Sequence, residues 1–279
     1  MATPHHPDAE KSSTVRPVAL VTGAVRRIGR VIALELAAAG FDIALHLRSS
    51  GGREVDEAWA TAAELKAAGA TRVDVLSADF ADAAATAALV PAAVKSLGRL
   101  DVVVNSASRF EYDSPENFDA ALLAALTRSN VAAPVELAHA LAAQVRAQPA
   151  HARVSPCVVN LLDQKLHNPN PDYFSYTLTK AALAHATVLL AQALAPALRV
   201  CGVSPGITLV SGPMDEDEFA KAHKLTALGR SSTPEDIARA VRFLVESPAI
   251  TGVDLAVDGG QHLIGQPRDV LFLARDPQS

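Results

Sequence analysis

Cysteine is scarce in this chain: Cys157 and Cys201 are the only two, and each lies inside an apolar run. That is too few for a disulfide framework and the wrong spacing for a zinc site, so two buried free thiols and no metal are expected. Aromatic residues are scarce too, at 4%, so the core must be aliphatic, which suits alanine-rich helices packed closely on a sheet. No apolar run reaches the ~18 residues of a membrane helix. No basic block exists, and the formal net charge of −5 is made of dispersed charges of both signs. Nucleic-acid binding and attachment to a membrane surface are therefore not expected. The opening MATPHHPDAEKSS lacks the apolar stretch of a secretory signal. Residues 1–15 read as a disordered arm, and a reducing, cytoplasmic location is expected.

What is present is a regular alternation. Short β-rich runs at 17–23, 41–47, 72–79, 100–107, 153–162, 198–205 and 252–257 are separated by helical stretches at 28–39, 53–68, 82–97, 115–147, 174–196 and 233–246. Strands such as VALV and DVVV are apolar without a break, as strands covered on both faces must be. Strands alternating with helices of ten or more residues predict a parallel sheet. The expected fold class is α/β: a single Rossmann-type doubly wound domain over residues 16–279, with about seven parallel strands and helices on both faces. Within it, 206–232 reads as a loop with a short helix. Its acidic run Asp215-Glu216-Asp217-Glu218 suits a solvated helix start. Residues 262–279 form a tail that composition does not explain.

The first strand ends in Thr22-Gly23-Ala24-Val25-Arg26-Arg27-Ile28-Gly29, and a helix follows. Glycines at such a junction let the backbone approach a pyrophosphate at the positive end of the helix. The two arginines add cations suited to phosphate. The second strand ends in His46-Leu47-Arg48-Ser49 with no acid at its tip. An acid there would select NAD; Arg48 and Ser49, with Arg26 or Arg27 near, favour the 2′-phosphate of NADP.

Tyr176 and Lys180 stand four residues apart near the start of a helix, and therefore on one face. An ammonium beside a phenol favours phenolate, so a lowered tyrosine pKa is expected, and with it acid–base chemistry near neutral pH. In this position, after the fifth strand, the pair completes a pattern: TGAVRRIG at 22–29, Asp79, NSAS at 105–108, Asn130, YTLTK at 176–180, SPG at 204–206 and DGG at 258–260. Over about residues 16–262 the chain resembles the short-chain dehydrogenases/reductases. The resemblance implies Tyr176 as acid/base, Lys180 on the nicotinamide ribose, and Asn130 in a water-linked proton relay. It implies a cofactor wall of Gly23, Arg26, Arg27, Ile28, His46, Arg48, Ser49, Asp79, Phe80, Asn105, Ser106, Ala107, Leu161, Pro205, Gly206 and Thr208 for NADPH. It also implies a homotetramer.

The family's usual serine, thirteen residues before the tyrosine, is here Asp163. An ionised carboxylate cannot donate to a carbonyl oxygen and would repel an alkoxide. Beside Tyr176 it could hold and pass a proton, the more readily if burial raises its pKa. This replacement resembles the pteridine reductases, as do the arginine-bearing turn with Arg27, Ser108, Phe110 and Tyr173. That resemblance implies a pterin, dihydropterin or dihydrofolate ring as substrate, stacked against Phe110 and touched by Arg27, Ser108, Asp163, Tyr173 and Tyr176. Two other readings stay open: reduction of a carbonyl such as a 3-oxoacyl thioester or a sugar, and a catalytically silent NADPH-binding sensor. His167 could face the pocket or merely cover it.

Overall fold

The computed structural model describes residues 15–147, 155–210 and 214–275. The expected arm at 1–15 and the ends of the tail fall almost wholly outside them. The strands are β1 (Val18–Val21), β2 (Asp42–Leu47), β3 (Val73–Ser77), β4 (Val102–Asn105), β5 (Cys157–Leu161), β6 (Arg199–Pro205) and β7 (Asp254–Val257). They form one sheet, ordered β3-β2-β1-β4-β5-β6-β7, and every pairing is parallel. The helices are α1 (Arg27–Ala38), α2 (Arg53–Ala68), α3 (Ala83–Leu97), α4 (Ala120–Thr127), α5 (Ala133–Ala147), α6 (Phe174–Leu194), α7 (Glu216–Ala222), α8 (Pro234–Glu246) and α9 (Val270–Arg275). None is long and apolar enough to cross a membrane among the described residues.

Apolar periodicity and caps make these helices. In α1, Ile32, Leu36 and their alanine neighbours Ala33 and Ala37 form one buried face. Asp82 accepts from the N–H groups of Ala84 and Ala85 to start α3, and Gly98, at φ 81°, ends it. Thr233 and Asp236 cap each other to start α8, with Pro234 as its first residue. One side of the sheet is sealed by α1, α2 and α8 over residues such as Val21, Ile43 and Val159. The other is sealed by α3, α5 and α6 over Leu20, Val103 and Val158.

The single helix expected over 115–147 is corrected. Ser114 caps a separate 3-10 turn that begins at Pro115, Asp119 caps a fresh helix at Ala120, and one widened π turn, Arg128–Ala132, divides α4 from α5. The tail also gains structure: α9 packs with Met214 and Ala222 in a small apolar cluster of its own.

The chain leaves β3 at one edge and re-enters at β4, beside β1. The two directions of winding part there, and a crevice opens beyond the carboxyl ends of the strands.

Candidate active site

Hydrogen bonds between strand tips build the floor of the crevice. Thr22 Oγ1 accepts from the backbone N–H groups of Ser106 and Ala107, both at 3.0 Å, and so ties β1 to the loop after β4. His46 Nδ1 accepts from Gly23 N at 3.1 Å, and its Nε2 donates to the Ala78 carbonyl at 2.9 Å. Phe80 stacks on the imidazole at 4.8 Å. Burial depresses the His46 pKa to about 4, so a neutral ring joins three strand tips. A side chain at Gly23, where φ is 64°, would meet Ala107 backbone at 3.1 Å. At Gly29 a Cβ would lie 2.5 Å from the Gly23 carbonyl oxygen. The turn therefore keeps a bare backbone against the N-terminus of α1, the surface a pyrophosphate requires.

The arginines of this region differ. Arg26 is paired with Glu57 at 2.5 Å. Arg27 holds a left-handed backbone, φ 54°, and its Nη1 donates to the Val210 carbonyl at 2.9 Å, spanning from the first turn to the loop after β6. Such a conformation costs a non-glycine residue roughly 1 kcal/mol or more, and is typical of functional sites. Arg48, at the tip of β2, is exposed and has no ion pair among the described residues. It is a cation free to meet a phosphate.

Two segments position the polar centre. Asp113 accepts from Ser175 N at 2.9 Å and from the Ser175 hydroxyl, and its own carbonyl accepts from Phe174 N at 3.2 Å. This fixes the first turn of α6, and so Tyr176 and Lys180. Asp163 caps the 3-10 turn Gln164–His167, its Oδ1 accepting from Lys165 N at 2.9 Å. Its Oδ2 accepts from the Tyr176 hydroxyl at 2.9 Å. Lys180 Nζ donates to the Leu161 carbonyl at 2.7 Å and lies 5.6 Å from the centre of the Tyr176 ring.

The expected lowering of the tyrosine pKa is not what this geometry gives. Burial, then the charge and hydrogen bond of Asp163, push the Tyr176 phenol well above its ordinary value. The lysine does not reverse this, and its own pKa is depressed by burial to about 8 against a smaller opposing effect of Asp163. Tyr176 is thus a proton-bearing donor to a carboxylate.

These residues line a cavity of about 780 Å³. Of the expected cofactor and substrate residues, Gly23, Arg26, Arg27, Ile28, His46, Arg48, Asp79, Phe80, Ser106, Ala107, Ser108, Phe110, Leu161, Asp163, Tyr173, Tyr176, Lys180, Pro205, Gly206 and Thr208 all contribute to its wall. Phe110 stacks on Tyr173 at 4.2 Å and meets Tyr176 edge-on at 4.8 Å, giving the cavity a flat aromatic side.

Ser49, Asn105 and Asn130 do not line it. Asn105 donates to Asn160 Oδ1 at 2.8 Å, bonding β4 to β5. Ser49 bonds locally, its N–H to Glu54 at 3.1 Å and its hydroxyl to the Gly51 carbonyl at 3.3 Å. Asn130, buried at the π turn, accepts from Arg109 N at 2.9 Å and the Ser108 hydroxyl at 3.3 Å. It donates to the Arg109 carbonyl at 3.0 Å and Thr179 Oγ1 at 3.1 Å. Its amide has no donor or acceptor left for a water relay; it anchors the loop that carries Phe110. His167 is also outside the wall, 3.1 Å from Asp254. The acidic run at 215–218 starts α7, with Asp215 and Glu218 capping one another.

Sequence reasoning missed most of one side of the cavity: Lys165, Asn170, Arg268 and Asp269; Met214 on the same side lies in the 206–232 segment, which the family resemblance makes a substrate loop. No motif marks them. The one local signal is Asp269 before the apolar run Val-Leu-Phe-Leu-Ala, an N-cap pattern that predicts a helix but not its neighbours.

The family model described as enoyl-(acyl carrier protein) reductase matches residues 23–262. Pteridine reductase 1 of Leishmania tarentolae is 32% identical over 292 aligned positions, covering 90% of this chain and 98% of its own. The 3-oxoacyl-(acyl-carrier-protein) reductase FabG of Staphylococcus aureus strain N315 is 32% identical over 261 positions, covering 88% and 98%. FolM alternative dihydrofolate reductase 1 from Brucella canis, solved in complex with NADP, is similar with a TM-score of 0.82. It is 36% identical, over 92% of this chain and 98% of that one.

Proposed function

The chain belongs to the short-chain dehydrogenase/reductase family, and from that premise we propose that it is a pteridine reductase-like enzyme that reduces a pterin, dihydropterin or dihydrofolate ring. It is an oxidoreductase whose cofactor is NADP. The residues present fit that cofactor: a turn at Gly23 and Gly29 that tolerates no Cβ, a helix N-terminus behind it, and the unpaired Arg48 for the 2′-phosphate. When bound, the dihydronicotinamide supplies the hydride. Lys180 would hold its ribose, while Pro205, Gly206 and Thr208 would line the opposite wall.

One observation carries the choice of ring: Asp163 stands where a carbonyl reductase needs a hydroxyl donor, and it accepts from Tyr176 at 2.9 Å. A carboxylate in that place repels an incipient alkoxide. Reduction of a C=N bond asks instead for a proton at nitrogen. Tyr176 keeps its proton through the neutral range and so always has one to give, and Asp163 aims the hydroxyl. Phe110, backed by Tyr173, offers a flat face for a flat ring, and Arg27 and Ser108 line the same cavity. The similarity to FabG favours a second reading, reduction of a 3-oxoacyl thioester, which must work around the carboxylate. A homotetramer in the cytoplasm is proposed with the family resemblance.

The test is NADPH oxidation, followed by absorbance, with biopterin, dihydrobiopterin, dihydromonapterin, dihydrofolate and an acetoacetyl thioester. Selective turnover of the pteridines is expected, and Asp163→Ser should impair it. Turnover of the thioester alone, or an Asp163→Ala variant with full pteridine activity, would overturn the proposal. Tight NADPH binding without turnover of any of them would favour a silent sensor.

A further inference from the structure

The side of the cavity that no motif announces is closed by the segment leading into α9. Arg268 clamps Asp172 with two hydrogen bonds, at 2.8 and 2.9 Å, and Asp269 N donates to the same carboxylate at 2.7 Å. Asp172 immediately precedes Tyr173, so the tail is fastened to the aromatic wall. Asp269 Oδ1 then caps α9, accepting from Leu271 N at 3.1 Å.

Its other oxygen is held only loosely. Oδ2 forms a long ion pair with Lys165 Nζ, at 3.7 Å, which is weaker than a close hydrogen bond. Lys165 donates instead to the Asp172 carbonyl and sits 5.7 Å from the centre of the Tyr173 ring. Burial pushes the Asp269 carboxyl up against the opposing pull of Lys165, as expected of an under-solvated charge. On the same wall, the buried Asn170 Oδ1 lacks a donor. Asp163, by contrast, has both oxygens engaged, one by Tyr176 and one by Lys165 N.

We propose that Asp269 is a specificity-determining residue, whose Oδ2 accepts from the amino-bearing edge of a flat heterocycle. The inference rests on the pteridine reading above and assigns its recognition step. An exocyclic NH₂ beside a ring N–H presents parallel donors, and a carboxylate is their natural partner. The two acids of the cavity then divide the work. Asp163 serves the proton through Tyr176, and Asp269 selects the ring. A site built to pair with a substrate N–H rejects the analogue without it, because its own acceptor is left bare.

The NADPH-loaded protein is titrated calorimetrically with pterin and with lumazine, which carries oxygen where pterin carries the exocyclic amino group. The wild type should prefer pterin by roughly tenfold to a hundredfold, the worth of a hydrogen bond to a charged group. Asp269→Asn keeps the shape and the helix cap but removes the charge, and should bring the preference to within about threefold while leaving NADPH affinity unchanged. Asp269→Ser, which also retains a capping oxygen, carries the same expectation should the asparagine variant not fold. An undiminished preference in a folded variant overturns the inference and leaves the pteridine reading intact. A wild type that binds neither ring, or does not distinguish them, removes the assignment of Asp269, and binding of neither ring also counts against the pteridine reading.

Discussion

Replacing Lys180 by methionine should abolish activity and yet stabilise the protein at neutral pH. The ammonium is buried, and its pKa is depressed from 10.5 to about 8. At ~1.4 kcal/mol per pH unit, holding that charge in the folded state costs about 3 kcal/mol below pH 8. Methionine removes this cost but also the hydrogen bond to the Leu161 carbonyl, worth about 1 kcal/mol, so a net gain of about 2 kcal/mol is expected at neutral pH. The sign of the pH dependence follows from proton counts. Between the folded value of about 8 and the unfolded 10.5, the unfolded wild type binds more protons than the folded one. Wild-type stability therefore rises with pH across that window. The advantage of the variant shrinks there, reverses near pH ~10, and ends as a deficit of about 1 kcal/mol, the lost hydrogen bond. Urea unfolding of both proteins without added nucleotide, followed by circular dichroism from pH 7 to 10.5, measures the difference, and other titrating groups cancel from it. A stability difference that does not change with pH would refute the buried-ammonium argument.

Tyr176→Phe should lower kcat by roughly a hundredfold to ten-thousandfold, the usual contribution of a positioned proton donor, with NADPH affinity unchanged by titration. Arg48→Ala should weaken NADPH binding at least tenfold and NADH binding hardly at all; equal losses would show that another group meets the 2′-phosphate. Gly29→Ala places a methyl 2.5 Å from the Gly23 carbonyl. It should abolish nucleotide binding or lower the melting temperature by several degrees, read by thermal denaturation with and without NADPH.

The strands were legible because a strand covered on both faces must be apolar throughout. Val18–Val21 and Val102–Val104 have no room for another reading. The helix at 115–147 was not, for two different reasons. Ser114-Pro115 and Asp119 are visible start signals, outvoted by the run of alanine and leucine around them. The π turn has no sequence signal at all, since it widens around the hydrogen bonds of Asn130 to Arg109, and those exist only once the chain is folded. The site divides in the same way. A spacing of four residues places Tyr176 and Lys180 on one face, and thirteen places Asp163 in the position of the missing serine. Spacing carries no information on desolvation, so the direction of the tyrosine pKa was misjudged. Asp269 lay beyond every motif, and only the Arg268–Asp172 clamp brings it to the cavity.

Much of what sequence patterns present as cofactor contact is, in the fold, support one layer back. His46 ties Gly23 to Ala78, Asn105 bonds β4 to β5, and Asn130 divides its amide between the loop bearing Phe110 and Thr179 of α6. His46 and Asn130 are buried polar groups with their partners supplied by the protein, which is the condition for burial without a large penalty, whereas Asn105 Oδ1 has no donor among the described residues. Several groups that face the cavity are left in deficit: the depressed ammonium of Lys180, the elevated phenol of Tyr176, and the Asp269 oxygen held only by a long ion pair. A protein selected for stability alone would replace them. Their clustering in one cavity, held by a hydrogen-bonded outer layer, is the physical reason to place recognition and chemistry there.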